Sequence, residues 1–336
     1  MNEEIGVILD KSDGVIKFGS GKVRDLWELT KTQSDSRSTL ASKFLLIVTT
    51  DRISIFDFIL GVEIPYKGEV LNALNIFWIG KLRLKHNIRA YGAGVCPANF
   101  PGIPNNEDLQ KRGIIVVDEK PHELEFIYRN HLTGSGYRKY QETGQCYGHN
   151  LPAGLWDGAK IPNGPIFTPT TKAKDGHDQP ITLKEAISIC GADIIALGQC
   201  KYIEAAQRAL GKGIIIADTK FEFSKNGFID EVLTPDSSRF WDQDEYQKAQ
   251  KDSKAPTGYD KEPVRQWGMT VQTPWGKGIN SLQPENPEHQ KFVQDLKVPD
   301  SVIAKTMERY LAVFKRLTGM RLQDFQNSEM HLAYRV

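Results

Sequence analysis

The stretch Ile214-Ile-Ile-Ala-Asp-Thr-Lys-Phe-Glu-Phe-Ser-Lys-Asn-Gly-Phe-Ile-Asp-Glu-Val-Leu-Thr-Pro-Asp-Ser-Ser-Arg-Phe-Trp-Asp242 decides how the chain is read. Its opening is short and apolar, the mark of a buried strand. Asp218, Lys220 and Glu222 then appear at alternate positions, and the two-residue side-chain period of a strand puts all three on one face. Asn226-Gly227 is a tight-turn dipeptide, so a second antiparallel strand is expected to follow it. Pairing then brings Asp230 or Glu231 near Glu222. Carboxylates converging without a cation repel, so a divalent metal is the economical expectation. The competing reading is a solvent-facing, self-paired row at a strand end. Next come Asp236, Ser237, Ser238 and Arg239, a turn suited to a sugar phosphate because arginine grips phosphate with two parallel hydrogen bonds. A plain Asp/Ser turn with a surface arginine has the same composition.

Upstream, Leu124-Glu-Phe-Ile-Tyr-Arg129 reads as a strand, and Arg129 and Ser135 past its end suit an anion. A structural arginine is the alternative. Residues 137 to 178 are dense in Gly and Pro and are expected to be irregular. Loops of that length commonly hold substrate, here through Thr170-Thr-Lys172 and His177-Asp178. Thr182-Leu-Lys-Glu185 is a capping box and predicts a helix running to about Leu210. Lys261 and Arg265 recur at helical spacing, either as a basic wall or as a solvated helix face. A last helix is expected over 302–317, capped by Asp300 or Ser301 and stopped by Gly319.

Toward the amino terminus, residues 14–29 predict a hairpin around Gly19-Ser-Gly-Lys-Val-Arg-Asp25. This loop matches neither the nucleotide P-loop nor the dinucleotide fingerprint. Its glycines would nevertheless let backbone N–H groups approach a phosphate, with Lys22 and Arg24 adding charge. Phe44–Thr50 and Gly113–Val117 read as buried strands. A helix is expected over 68–86, with Val70, Leu74, Phe77, Trp78 and Leu82 on one face. The polar crossing Asp118–His122 is the expected hinge, and 31–43 an exposed loop.

The bulk numbers bound the function. A chain of 336 residues usually splits its core into two lobes. Net charge is +1, from 43 basic and 42 acidic residues, which gives no electrostatic case for nucleic acid as main partner. The four cysteines form no C-x-x-C pair, so neither zinc site nor disulfide framework is expected. No signal peptide and no run of about 20 apolar residues is visible, so a reducing cytoplasm is the expected setting and no membrane partner is expected. The fold class is α+β.

In order along the chain, GKVRDLWEL (21–29), TTDRISIFD (49–57), IPYKGEVLN (64–72), ELEFIYRNHLTGS (123–135), PIFTPTTKA (165–173), GIIIADTKFEF (213–223) and DEVLTPDSSRFWD (230–242) resemble the phosphoribosylaminoimidazole-succinocarboxamide synthases, or SAICAR synthetases. The resemblance runs from residue 19 to about 267. It implies a small β-rich ATP-binding lobe (1–120) and a larger α+β lobe (121–336) with the metal, ribotide and aspartate sites and the C-terminal helices, ATP lying in the interlobe cleft. It implies that Gly21, Lys22, Arg24 and Glu125 meet ATP, that Glu222 and Asp230 hold Mg²⁺, and that Asp218 and Lys220 face the reacting groups. Arg129, Ser135, Asp236 and Arg239 match ribotide-binding positions, Lys261 and Arg265 a basic pair near the acceptor carboxylates, and Lys172 and Asp178 further substrate positions. The implied reaction joins L-aspartate to a carboxylated aminoimidazole ribotide at the expense of ATP, with small-molecule substrates and no obligate protein partner. Three positions depart from the family pattern: Glu123 in place of proline, Tyr128 in place of a small or aliphatic residue, and Ser224 in place of glycine. A small-molecule kinase and a nucleotide-sensing module are the competing classes; aspartate-dependent ADP release separates them from the ligase.

Overall fold

The computed structural model describes residues 2–30, 43–91, 100, 102–172 and 179–332. Helix α1 (Asn2–Asp10) leads into the hairpin β1 (Val15–Ser20) and β2 (Arg24–Leu29). Then come β3 (Phe44–Thr49), β4 (Arg52–Ile55), β5 (Phe58–Glu63), α2 (Lys67–Lys81), β6 (Ile88–Tyr91), α3 (Glu107–Arg112) and β7 (Gly113–Val117). They are followed by β8 (Leu124–Arg129), α4 (Gly134–Thr143), β9 (Gln145–Cys146), β10 (His149–Asn150), β11 (Ile166–Phe167) and β12 (Thr170–Thr171). Helices α5 (Leu183–Cys190) and α6 (Ala192–Leu210) precede β13 (Ile214–Ser224), β14 (Gly227–Ile229) and β15 (Ser238–Asp242). The chain continues through α7 (Gln243–Lys251), α8 (Glu262–Thr270), β16 (Gln272–Thr273), β17 (Gly276–Lys277), α9 (Pro287–Gln294), α10 (Asp300–Thr318) and α11 (Leu322–Ser328).

Two compact units result. The first is Met1–Ile76, Asn87–Asp118 and Lys261–Val336; the second is Phe77–His86 and Glu119–Asp260. This differs from a linear division at residue 120, because the C-terminal segment joins the first unit. The reason is a shared core: Val264, Ile279, Leu282, Val293 and Val298 pack with Ile53, Ile55, Phe58, Leu60 and Ile64. Burial of apolar surface, not sequence proximity, decides such membership.

In the first unit an antiparallel sheet of order β1-β2-β3-β7-β6 packs Trp27, Leu46, Val48 and Ile115 against Ile5, Leu9 and Leu109. Fully buried Arg112 forks onto Asp51 at 2.7 and 2.9 Å and reaches Glu69 at 3.4 Å. Gln326 of α11 donates to the same Glu69 at 2.7 Å, which ties the C-terminal helix to α2. Helix α2 is shorter than expected and lacks the single apolar stripe: every residue from Lys67 to Ile76 is buried.

In the second unit, β13 lies at the centre of a sheet of order β11-β8-β13-β14, with β12 on β8 and β15 on β13. Phe126, Tyr128, Phe221, Phe223 and Phe228 fill its aromatic core. Tyr128, one of the three departures from the family pattern, donates to Ile195 O of α6 at 2.8 Å. The capping box at Thr182 is present, but the single helix expected to reach Leu210 is two helices bent by 110° at Gly191. Gly191 has φ 82° and ψ 156°, which breaks the hydrogen-bond ladder and which a residue with a Cβ rarely adopts. The segment expected to be irregular from 137 to 178 contains most of α4 and the short strands β9 to β12. Asp178 and His177 lie outside the described residues, as do 31–42 of the expected N-terminal loop. Among the described residues no single helix is long and apolar enough to cross a membrane.

Candidate active site

Strand β13 organises the charges of the second unit. Asp218 lies directly opposite Arg129 on β8 and opposite Arg239 on β15. A bulge between Ile216 and Asp218 on the β15 side brings both registers onto the one aspartate. Arg129 Nη1 donates to Asp218 Oδ2 at 2.7 Å, and Arg239 Nη1 donates to the same oxygen. Arg129 is further fixed through Nε to Thr168 Oγ1 at 3.0 Å and through Nη2 to Ser135 Oγ at 3.2 Å. Asp218 was expected to face the reacting groups; its buried carboxylate is instead taken up by two guanidiniums. Two guanidiniums converging on one carboxylate are a donor arrangement that suits a bound anion.

Gly134, which the sequence reading left unused, makes this packing possible. A Cβ there would come 2.5 Å from Arg239 Nη2, and the residue has φ 58°.

Two and four residues along the same face, Lys220 and Glu222 form a second cluster. Lys220 Nζ donates to Glu125 Oε1 at 2.6 Å and lies 3.9 Å from Glu222 Oε1. Thr170 Oγ1 donates to Glu125 Oε2 at 3.0 Å, and Lys172 Nζ donates to Glu222 Oε2. Burial alone would lower the pKa of Lys220, but Glu125, Glu222 and Glu231 outweigh it and hold the ammonium above its ordinary value. Glu231 is thus the acidic neighbour that the choice of Asp230 left aside.

Asp230 is placed differently from a simple hairpin. Ile229 pairs opposite Glu222, and the ladder ends there. An uninterrupted strand would put residue 230 on the opposite face from Glu222. Asp230 instead adopts φ 63°, which turns the chain out of the strand. His86 holds this turn, its Nε2 lying 2.8 Å from Asp230 O. A carbonyl oxygen only accepts, so Nε2 is the nitrogen that carries the hydrogen. Among the described residues no three His, Cys, Asp or Glu side chains form a metal cage. Two hard carboxylates still suit Mg²⁺, which commonly takes one or two protein carboxylates and completes its shell with substrate phosphates and water.

Asp236 sits in the turn before β15, where its N–H donates to Thr234 Oγ1 at 3.3 Å. In the first unit, Lys22 Nζ pairs with Asp57 Oδ1 at 2.5 Å near the protein surface, and Gly21 N–H closes the β1–β2 turn on Arg24 O at 2.7 Å. Lys261 caps α8 and Arg265 lies one turn on, as their spacing implied; both belong to the first unit.

The SAICAR synthetase family model matches residues 17–282. A phosphoribosylaminoimidazole-succinocarboxamide synthase of Thermodesulfovibrio yellowstonii is 38% identical over 316 residues, covering 91% of this chain and 96% of that one. Another, from Cupriavidus necator, is 40% identical over 322 residues, with coverage of 91% and 95%. The solved SAICAR synthase of Saccharomyces cerevisiae, complexed with SAICAR, superposes with a TM-score of 0.69 at 30% identity, covering 92% of this chain and 96% of that one. The chain belongs to the SAICAR synthetase family.

Proposed function

We propose that the two charged clusters on β13 divide the family reaction between them: Asp218 with its arginines orients the ribotide, and Lys220 with its carboxylates serves phosphoryl transfer. The enzyme is an ATP-dependent ligase that condenses L-aspartate with carboxyaminoimidazole ribotide in purine biosynthesis. ATP is needed because a free carboxylate would have to expel oxide. A ribotide carboxylate oxygen attacks the γ-phosphorus and ADP leaves. The α-amine of aspartate then attacks the acyl carbon, the carbon–oxygen bond breaks, phosphate departs with that oxygen, and the amine gives up a proton.

Glu125, Glu222 and Glu231 favour the charged form of Lys220. That ammonium offsets charge on the migrating phosphoryl group, a contribution that preorganised contacts of this kind make at about 10²–10³ in rate each. Glu222 and Asp230 are the residues that would hold Mg²⁺, which when bound neutralises phosphate charge. Glu125 and Lys172 keep Lys220 and Glu222 in place. Gly21, Lys22 and Arg24 meet the ATP phosphates, Arg129, Ser135, Asp236 and Arg239 bind the ribotide, and Lys261 and Arg265 the acceptor carboxylates. The proposed working compartment is a reducing cytoplasm.

The observation that carries the division is the double register of Asp218 against Arg129 and Arg239, two residues from an ammonium ringed by carboxylates. ADP release is to be followed with ATP, aspartate and ribotide, omitting each in turn, in the wild type and in Arg239→Lys. Release should require all three substrates, and the variant should raise the ribotide KM at least tenfold with the ATP KM within twofold. An unchanged ribotide KM defeats the division, and release without aspartate defeats the ligase.

A further inference from the structure

The turn between β1 and β2 has a polarity that one residue outside it imposes. Arg52, at the start of β4, donates through Nη2 to Gly21 O at 3.0 Å and Arg24 O at 3.4 Å, and through Nε to Lys22 O at 3.3 Å. Val23 O accepts from Thr50 N and Thr50 Oγ1, both at 2.9 Å. All four carbonyls of Gly21–Arg24 are therefore engaged, and Arg52 contributes to three of them. Asp25 fixes the guanidinium in turn, accepting from Nη1 at 3.1 Å and Nη2 at 2.7 Å.

A peptide unit is planar and trans, so its N–H points away from its C=O. Holding Gly21 O and Lys22 O toward Arg52 sends the N–H groups of Lys22 and Val23 the other way. Among the described residues those two N–H groups have no hydrogen-bond partner. Successive free N–H groups at a turn make an anion-binding concavity. The charge of Arg52 is matched by Asp25, so its contribution is orientation and not attraction.

We propose that Arg52 is a positioning residue for ATP, holding the carbonyls of residues 21–24 back so that the N–H groups of Lys22 and Val23 meet a phosphate. This rests on the reading that residues 21–24 meet the ATP phosphates. Neither methionine nor lysine at position 52 can fork onto Asp25 and three carbonyls at once.

The test compares equilibrium binding of ATP and of adenosine, which lacks phosphate, to the full-length protein and to Arg52→Met, Arg52→Lys and Lys22→Ala. Arg52→Met should weaken ATP about tenfold, the scale of one hydrogen bond to a charged group. Adenosine binding should stay within twofold, Arg52→Lys should lie between, and the KM for ATP should rise with kcat and the aspartate KM held. Wild-type ATP affinity in Arg52→Met overturns the inference, as does an equal loss for ATP and adenosine, which signals general damage. If Arg52→Met fails to fold, the same two ratios are read from Arg52→Lys. Weakened ATP in Lys22→Ala beside unchanged ATP in the Arg52 variants defeats the role of Arg52 alone. Unchanged ATP in all three variants defeats the phosphate reading of the turn.

Discussion

Asp218→Asn is the substitution whose outcome the geometry constrains most tightly. The side chain is 7% exposed and serves Arg129, itself 4% exposed, and Arg239 at 27%. Asparagine keeps the volume and one acceptor oxygen but removes the charge that both guanidiniums share. At an effective dielectric constant of about 20, unit charges about 4 Å apart interact by about 4 kcal/mol, and the attraction of Asp218 to both guanidiniums is lost. Breaking a buried pair by removing one partner commonly costs about 3–5 kcal/mol. The retained amide oxygen and the partial exposure of Arg239 place the expected loss near the low end, about 3 kcal/mol. The assay is thermal unfolding of wild type and variant with and without inorganic phosphate. The midpoint should fall by several degrees, and phosphate should restore more stability to the variant than to the wild type, because an anion replaces the lost charge. A variant that melts with the wild type and responds equally to phosphate would refute the reasoning.

Lys220→Met should reduce turnover by at least about 10² and lower stability below about pH 10, where the contribution of the ammonium is present, read from steady-state rates and melts. Because folding raises the Lys220 pKa, its stabilisation is complete below the unfolded value of about 10.4 and is lost as pH climbs past it; the variant should lack that alkaline loss. Burial, aided by Lys160, lowers His131 to about 4, so its contribution is present above about 6.5 and lost as pH falls toward 4. His131→Phe, which keeps the edge contacts with Trp241 and Tyr246, should flatten the acid limb of stability against pH; an unaltered slope would be the contrary result. Gly198→Ala would set a methyl group against the Tyr128 hydroxyl and 2.8 Å from its Cζ, and should destabilise by about 1–3 kcal/mol. Tyr128→Leu in the same chain should recover part of that loss in denaturant unfolding, and no recovery would exclude the clash as its cause.

The charged face of β13 was legible because a strand alternates its side chains whatever its partners are. The partners were not. Pairing Asp218 with both Arg129 and Arg239 depends on the register of strands far apart in sequence and on a bulge that no local pattern announces. The expected hairpin leaves Asp230 and Glu231 both open as neighbours of Glu222, and only the family resemblance points to Asp230; in the structure its left-handed conformation ends the ladder and Glu231 acts on Lys220. The helix expected to reach Leu210 runs through Gly191, whose break shows only in backbone angles. Arg52 sits in a segment that the resemblance flagged, yet its hydrogen bonds to a turn about 30 residues away leave no trace in composition. The resemblance implies a second lobe that includes the C-terminal helices, whereas a long-range apolar core packs Val264, Ile279 and Val293 with Ile53, Phe58 and Leu60.

The most direct test of ATP-driven carboxylate activation is isotope transfer. Ribotide labelled with ¹⁸O in its carboxylate is turned over with ATP and aspartate, and the released phosphate is analysed by mass. One labelled oxygen per phosphate is the predicted result. Unlabelled phosphate, with both labelled oxygens still absent from it at full conversion, would contradict the account.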